Sequence, residues 1–156
     1  MRRRSCFFIG HRDTSFNIYP LLVAEVERHI VEFDVKDFFV GHYGSFDSMA
    51  VCAVKEAKEK YPAVRLIMLL PYHPAIRPVK MPAGFDASYF PSGQETVPPR
   101  AAIVRANRHM VGISDYLICF VHHPSNGARE VMELALRREK RGLMHVTNLA
   151  GWIPPV

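Results

Sequence analysis

Short unbroken apolar runs alternate along the chain with longer stretches in which apolar residues recur every third or fourth position, the pattern of buried strands joined by amphipathic helices. Residues 6–9 form the first run and end at Gly10; past a polar loop, Leu22, Val26, Ile30 and Phe33 repeat at helical spacing. Residues 37–40 form the second run and end at Gly41. The loop from His42 to Phe46 then leads into a helical stretch whose inner side, Ala50, Ala53, Val54 and Ala57, is built of small residues, which let a helix lie close to a sheet. Residues 64–70 are the cleanest strand, rich in branched aliphatics with one charge at Arg65, and they stop at Pro71.

Residues 71–99 hold seven of the twelve prolines and carry no long helix. They read as an excursion over the strand ends, with room for one short strand at 87–90. A helix from about residue 100 to 111, a strand at 116–121, a helix at 127–141 and a final strand at 144–148 complete the chain. Strands that are apolar on both faces and alternate with helices predict a three-layer, doubly wound α/β fold around a mainly parallel sheet. Right-handed crossovers predict about five strands in the order 3-2-1-4-5, with the topological switch between the first strand and the strand at 116–121. With 156 residues and no internal repeat, the whole of 1–156 reads as a single domain.

Composition narrows the class. Apolar residues at 49% and charged residues at 22% place the chain among folded globular domains and away from disordered ones. No run approaches the roughly 18 consecutive apolar residues of a membrane span, so a cytoplasmic protein with no membrane partner is expected. The three arginines at residues 2–4 are given no role. Cys6, Cys52 and Cys119 are an odd number without a C-x-x-C pair, which predicts a reducing compartment and three small core residues. The net charge of +5 is unevenly spread. Between residues 71 and 110, Arg77, Lys80, Arg100, Arg105 and Arg108 outweigh Asp86 and Glu95, while between residues 17 and 35 Arg28 is outweighed by Glu25, Glu27, Glu32 and Asp34. Such a field draws an anionic ligand to the positive side.

In doubly wound sheets ligands sit beyond the carboxyl ends of the strands, so the loops that follow the strands carry the chemistry. Three of these loops are unusual and are expected to converge: residues 10–13, residues 41–47 and residues 122–128. The second sets Gly41, Gly44 and Ser45 ahead of a helix N-terminus, where unpaired amides and the helix dipole favour a phosphate or carboxylate. Ordinary turn glycines with Ser45 or Asp47 as the N-cap fit the same letters. The third repeats the arrangement with Ser125, Asn126 and Gly127, and two such helix starts suit a nucleotide better than a lone anion. Neither loop is the G-x-x-x-x-G-K-[ST] or the G-x-G-x-x-G fingerprint, which removes the usual support for an ATPase or a dehydrogenase. His11, His42, His122 and His123 fall at one sheet edge, but their spacing is not that of metal ligands and no metal site is expected. The absence of a G-x-S-x-G turn argues against a serine hydrolase.

These residues carry a resemblance. Phe7-Phe8-Ile9-Gly10-His11-Arg12 resembles the F-[TI]-G-H-R start of small bacterial proteins related to the YpsA family. The G-x-x-G-x-x-D-x-x-A of Gly41 to Ala50 resembles a segment of the wider SLOG superfamily of Rossmann-like proteins, which includes the DNA-processing proteins and the LOG phosphoribohydrolases. Asn107-Arg108-His109-Met110-Val111 with Ser114-Asp115 is similar to the R-N-x-x-M-V-x-x-S-D stretch of that group, and Ser125-Asn126-Gly127-Ala128 stands where it has S-G-G-T. The resemblance implies a Rossmann-like domain that binds a nucleotide or nucleotide derivative with its phosphates on the two glycine-containing loops. Relative to the LOG pattern P-G-G-x-G-T-x-x-E, Ala128 replaces the threonine and the acid falls at Glu130, one position early.

The expected ligand contacts are therefore Gly10, His11, Arg12, Gly41, Gly44, Ser45, Asn107, Ser125, Asn126, Gly127 and Ala128, with Asp47 or Glu130 as general base. Arg12 is suited to a phosphate through its planar fork. His11 either contacts ligand or holds its loop through a backbone hydrogen bond, and Asn107 faces either the site or a buried backbone group. The function expected is nucleotide binding, with hydrolysis of an N-glycosidic or phosphate-ester bond as its catalytic version and a non-catalytic nucleotide-sensing regulator as the alternative. No further cofactor is implied. A homodimer is expected, paired through the small-residue helix and the long C-terminal one; nucleic acid is not expected as a partner, because aromatics interleaved with the basic residues are not evident.

Overall fold

The structure, a computed structural model, describes residues 2–122 and 126–151. One sheet is formed by β1 (Arg4–Gly10), β2 (Val35–Val40), β3 (Arg65–Leu69), β4 (Ala87–Tyr89), β5 (Tyr116–Phe120) and β6 (His145–Asn148). Its order is β4-β3-β2-β1-β5-β6, and every pairing is parallel. The helices are α1 (Tyr19–Phe33), α2 (Ser45–Lys60), α3 (Ala102–Ile113) and α4 (Asn126–Lys140).

The strand count corrects the expectation of five in the order 3-2-1-4-5. Without β4 the order is the expected one; β4 falls at the short strand expected at 87–90, and the correction is that it joins the sheet, at the edge, paired with β3 through Ile67, Met68 and Leu69. An edge strand three residues long needs no apolar run, so its sequence carries little signal. Asp86 fastens it instead: its carboxylate accepts the Leu66 amide at 2.8 Å and is paired with Lys58.

Alternation along the strands builds the two outer layers. Cys6, Phe8, Phe38, Val40 and Ile118 turn to the side covered by α1 and α2, while Phe7, Ile9, Leu117 and Cys119 turn to the side of α3 and α4. The small residues Ala50, Ala53 and Ala57 of α2 are buried inside this chain's own core. They are therefore not a surface for a second copy, which removes the small-residue helix from the argument for a homodimer. Cys52 also departs from expectation: it is exposed, about 130° around α2 from the centre of the buried face, while Cys6 and Cys119 are buried.

At the amino ends of the strands, Asp37 accepts hydrogen bonds from Arg3 Nε at 2.7 Å and from Arg65 Nε and a terminal nitrogen at 3.0 and 3.1 Å. Burial raises its pKa, but the two guanidinium groups outweigh that effect and hold the carboxyl below its ordinary 3.8. The stability it contributes is then present above that ordinary value and is lost as pH falls through the folded-state value. Asp37→Asn is expected to cost about 1–2 kcal/mol at pH 7, toward the low end for a buried pair because both arginines are partly exposed. Urea unfolding at pH 7 and pH 3 checks it; a variant equally weakened at both would contradict the assignment.

Candidate functional site

The loops after β1 and β2 interlock at the start of α2. A Cβ on Gly10 would stand 2.2 Å from Phe46 Cγ, so glycine lets the end of β1 pass beneath that buried ring. Gly44 precedes α2 with φ 107° and ψ 175°, and a Cβ there would lie 2.6 Å from the Arg12 Cα. The Ser45 amide donates to the Arg12 carbonyl at 2.8 Å, the Ser45 hydroxyl to the Thr14 carbonyl at 2.7 Å, and the Thr14 hydroxyl to the His11 carbonyl at 2.7 Å. This knot fixes the Arg12 backbone at the positive end of α2.

A cleft of about 540 Å³, its open side included, lies over the carboxyl ends of β1, β2 and β3. Its floor is Phe7 to Gly10; one wall is Arg12, Gly41, Tyr43 and Asp47, and the other is Leu69, Pro71, Ile103, Ala106 and Asn107. Among the described lining residues Asp47 is the one acid and Arg12 the one cation. Burial pushes the Asp47 carboxyl from 3.8 up to about 6, against the opposing pull of the Tyr43 amide, which donates to it at 3.1 Å, and of Arg12. A group that titrates there exchanges its proton near neutral pH, as a general acid or base requires. Gly41 makes room for it, since a Cβ at that position would stand 2.9 Å from the carboxylate.

Of the residues singled out by sequence, Gly10, Arg12, Gly41, Asp47 and Asn107 are brought together in this cleft. Gly44 and Ser45 stand behind its wall, their contacts made with Arg12 and Thr14. His11 is buried at the switch between β1 and β5, where its Nε2 accepts the His122 amide at 3.2 Å and the two rings meet edge to face. Glu130 does not line the cleft; it pairs with Arg108 at 3.0 Å on the α3–α4 side. Ser125 lies outside the described residues, as do His123 and the side chains of Asn126, Gly127 and Ala128 at the start of α4. The expected convergence is seen for the first two loops at the cleft, and the third joins the first where His122 meets His11; the remainder of the third loop lies outside the described residues. Among the described residues no three His, Cys, Asp or Glu side chains stand close enough to hold a metal ion.

Sequence reasoning missed Tyr43 and the apolar wall of Leu69, Pro71, Ile103 and Ala106. The spacing of Ile103 and Asn107, four apart on α3, was a usable signal for one helix face. It also missed the rim, where the Arg77 guanidinium lies 3.9 Å from the centre of the Tyr72 ring. One aromatic and one basic residue are thus stacked here, a pairing the sequence reading did not identify.

The fold is similar to that of DNA processing protein A from Helicobacter pylori. The TM-score is 0.58 at 16% identity, and the match covers 94% of this chain and 66% of that one. The structure of that protein is described as giving its single-stranded DNA binding mode. This corrects the expectation that nucleic acid is an unlikely partner, since a protein that shares this fold over 66% of its own length is described as binding single-stranded DNA. No family model matches the chain and no curated protein does. Among the described residues no helix is long and apolar enough to cross a membrane.

Proposed function

We propose that the protein binds a nucleotide or nucleotide derivative in the cleft over β1, β2 and β3. The observation that carries this reading is the meeting of Arg12, Asp47 and Asn107 around one cleft beside the start of α2. Arg12 has no acid within ion-pair distance among the described residues, so its fork is available to a phosphate, and the α2 dipole adds to the attraction. The apolar wall takes the flat face of a base, and the Asn107 amide offers a donor and an acceptor to its edge. In the catalytic version of this reading, Asp47 takes a proton from the water that attacks the anomeric carbon or the phosphorus, the bond to the base or ester oxygen breaks, and the proton is returned to that leaving group. Glu130, paired with Arg108 outside the cleft, has no part in that step.

Thermal shift and calorimetry with nucleoside monophosphates, ADP-ribose and dinucleotides test the reading. At least one of them is expected to stabilise the fold, and Arg12→Gln to weaken it by about 10- to 100-fold, the range of a charge-assisted contact to phosphate. No shift with any nucleotide would sink the proposal. Unchanged ligand after long incubation with the unaltered protein and with Asp47→Asn would leave binding and remove catalysis.

A second reading, single-stranded DNA across the same edge, is favoured by the fold neighbour and by exposed Arg77, Arg100 and Arg105 beyond the cleft. It predicts binding of an oligothymidylate that weakens steeply with added salt. Competition by a mononucleotide would place strand and nucleotide in one site.

A further inference from the structure

Tyr43 lines the cleft on the α2 side, with its ring held against His42 at a centroid distance of 4.2 Å. On the opposite rim Pro71 lines the cleft, and the next residue, Tyr72, donates its hydroxyl to the Pro99 carbonyl at 3.2 Å, which ties the excursion to the turn that opens α3. Buried Gln94 makes a second tie, its amide donating to the Pro71 carbonyl at 3.1 Å and to the Ala102 carbonyl at 2.5 Å. The rim is therefore fastened to the α3 wall at two points, although it lies in a proline-rich loop.

The Arg77 guanidinium stands over the Tyr72 ring and, among the described residues, has no acid within ion-pair distance. The Tyr43 phenol is raised by burial and by Tyr72, and lowered by Arg77 and Arg12, so Tyr72 and Arg77 stand near enough to Tyr43 for their charges to be felt there. A planar guanidinium on an aromatic ring is itself a stacking surface, and tyrosine offers another.

We propose that Tyr43 and the Tyr72–Arg77 pair form an aromatic lip that stacks on the base of the ligand whose phosphate Arg12 holds, making the base a determinant of binding. The inference rests on the nucleotide reading of the same cleft and adds to it the residues that recognise the base. The shared chemistry is a base with its phosphate, supplied either by a free nucleotide or by one unit of a single strand.

The probes are AMP, ribose 5-phosphate and a short oligothymidylate, measured by calorimetry. Tyr43→Leu, Tyr72→Leu and Arg77→Gln are each expected to weaken AMP by about ten-fold, the scale of base–aromatic stacking, and to leave ribose 5-phosphate unchanged. Arg12→Gln is expected to weaken both. Tyr72→Phe keeps the ring and loses the bond to Pro99, so AMP binding as in the unaltered protein assigns the effect to stacking rather than to a rearranged loop. Equal losses for AMP and ribose 5-phosphate in the lip variants, or no loss with either AMP or the oligothymidylate, would overturn the lip and leave the phosphate site standing. Binding of none of the three probes by the unaltered protein would overturn the nucleotide reading beneath it. Lip losses seen with the oligothymidylate and not with AMP support the lip and name the strand as the source.

Discussion

Gly44→Ala is expected to cost about 3 kcal/mol of stability, a fall of roughly 6–12 °C in melting temperature for a chain of this size. Two effects add. The backbone at φ 107° and ψ 175° lies in a region that only glycine occupies at low cost. A Cβ would also stand 2.6 Å from the Arg12 Cα and 2.9 Å from its Cβ, and the first of these is backbone held in place by the Ser45 amide. Gly93 separates the two effects, since its φ is 88° and nothing lies within 4 Å of an added Cβ. Gly93→Ala is expected to lose only the conformational part, about 1 kcal/mol. Thermal and urea unfolding of both variants makes the comparison; equal losses would show that Arg12 is not packed against the start of α2. Gly44→Ala is also expected to weaken nucleotide binding, because the clash moves the residue assigned to the phosphate.

Asp47→Asn is expected to have the opposite sign. A carboxyl whose folded-state pKa is about 6 against an ordinary 3.8 binds its proton more tightly in the folded chain. Stability therefore falls as pH rises from about 4 to 6, and the penalty persists above that window; it amounts to about 3 kcal/mol once the group is ionised. Asparagine carries no charge and its carbonyl still accepts the Tyr43 amide, so the variant is expected to be more stable by up to about 3 kcal/mol at pH 8 and about equal at pH 4. Urea unfolding across pH 4 to 8 reads this directly, and parallel curves for the two proteins would refute the half-buried, ionising carboxylate. On the functional reading the same variant loses turnover while retaining ligand. A group whose ionised form costs that much is a common feature of sites in which activity and stability are opposed.

The fold was legible where burial is strong and periodic. The strand at residues 6–9, apolar at every position, can only be covered on both faces, and Leu22, Val26 and Ile30 mark one face of α1 without ambiguity. β4 was not legible to the same degree, because Ala87 and Tyr89 are only partly buried and the strand is held by Asp86 from outside its own pattern. In the candidate site, Arg12 and Asp47 could be placed at the strand ends because a residue just past a strand or in the first turn of the next helix is positioned locally, whereas Asn107 carried two open readings that only the packing of α3 against the cleft decided. Tyr72 and Arg77 were not, because the path of a proline-rich excursion is set by contacts with Pro99 and Ala102, far along the chain.

Which partner a polar side chain takes was equally beyond local reasoning. Glu130 and Asp47 look alike as acids near helix starts, yet one meets Arg108 on the surface and the other an amide inside a cleft. His11 carried two open readings, and its contact with the His122 amide arises from the pairing of β1 with β5 across more than a hundred residues.

The order of apolar and polar residues thus determined the layers, the parallel sheet and the strand ends at which any site must lie, since burial on one face or two is a property of each short segment. Only the tertiary structure decided which loop ends meet, that the cleft opens over β1, β2 and β3, and that the proline-rich excursion brings Pro71 to its wall. The reason is physical. Periodicity records how much of a side chain is buried, whereas the identity of its neighbour depends on the crossing of segments distant in sequence, for which no local pattern exists.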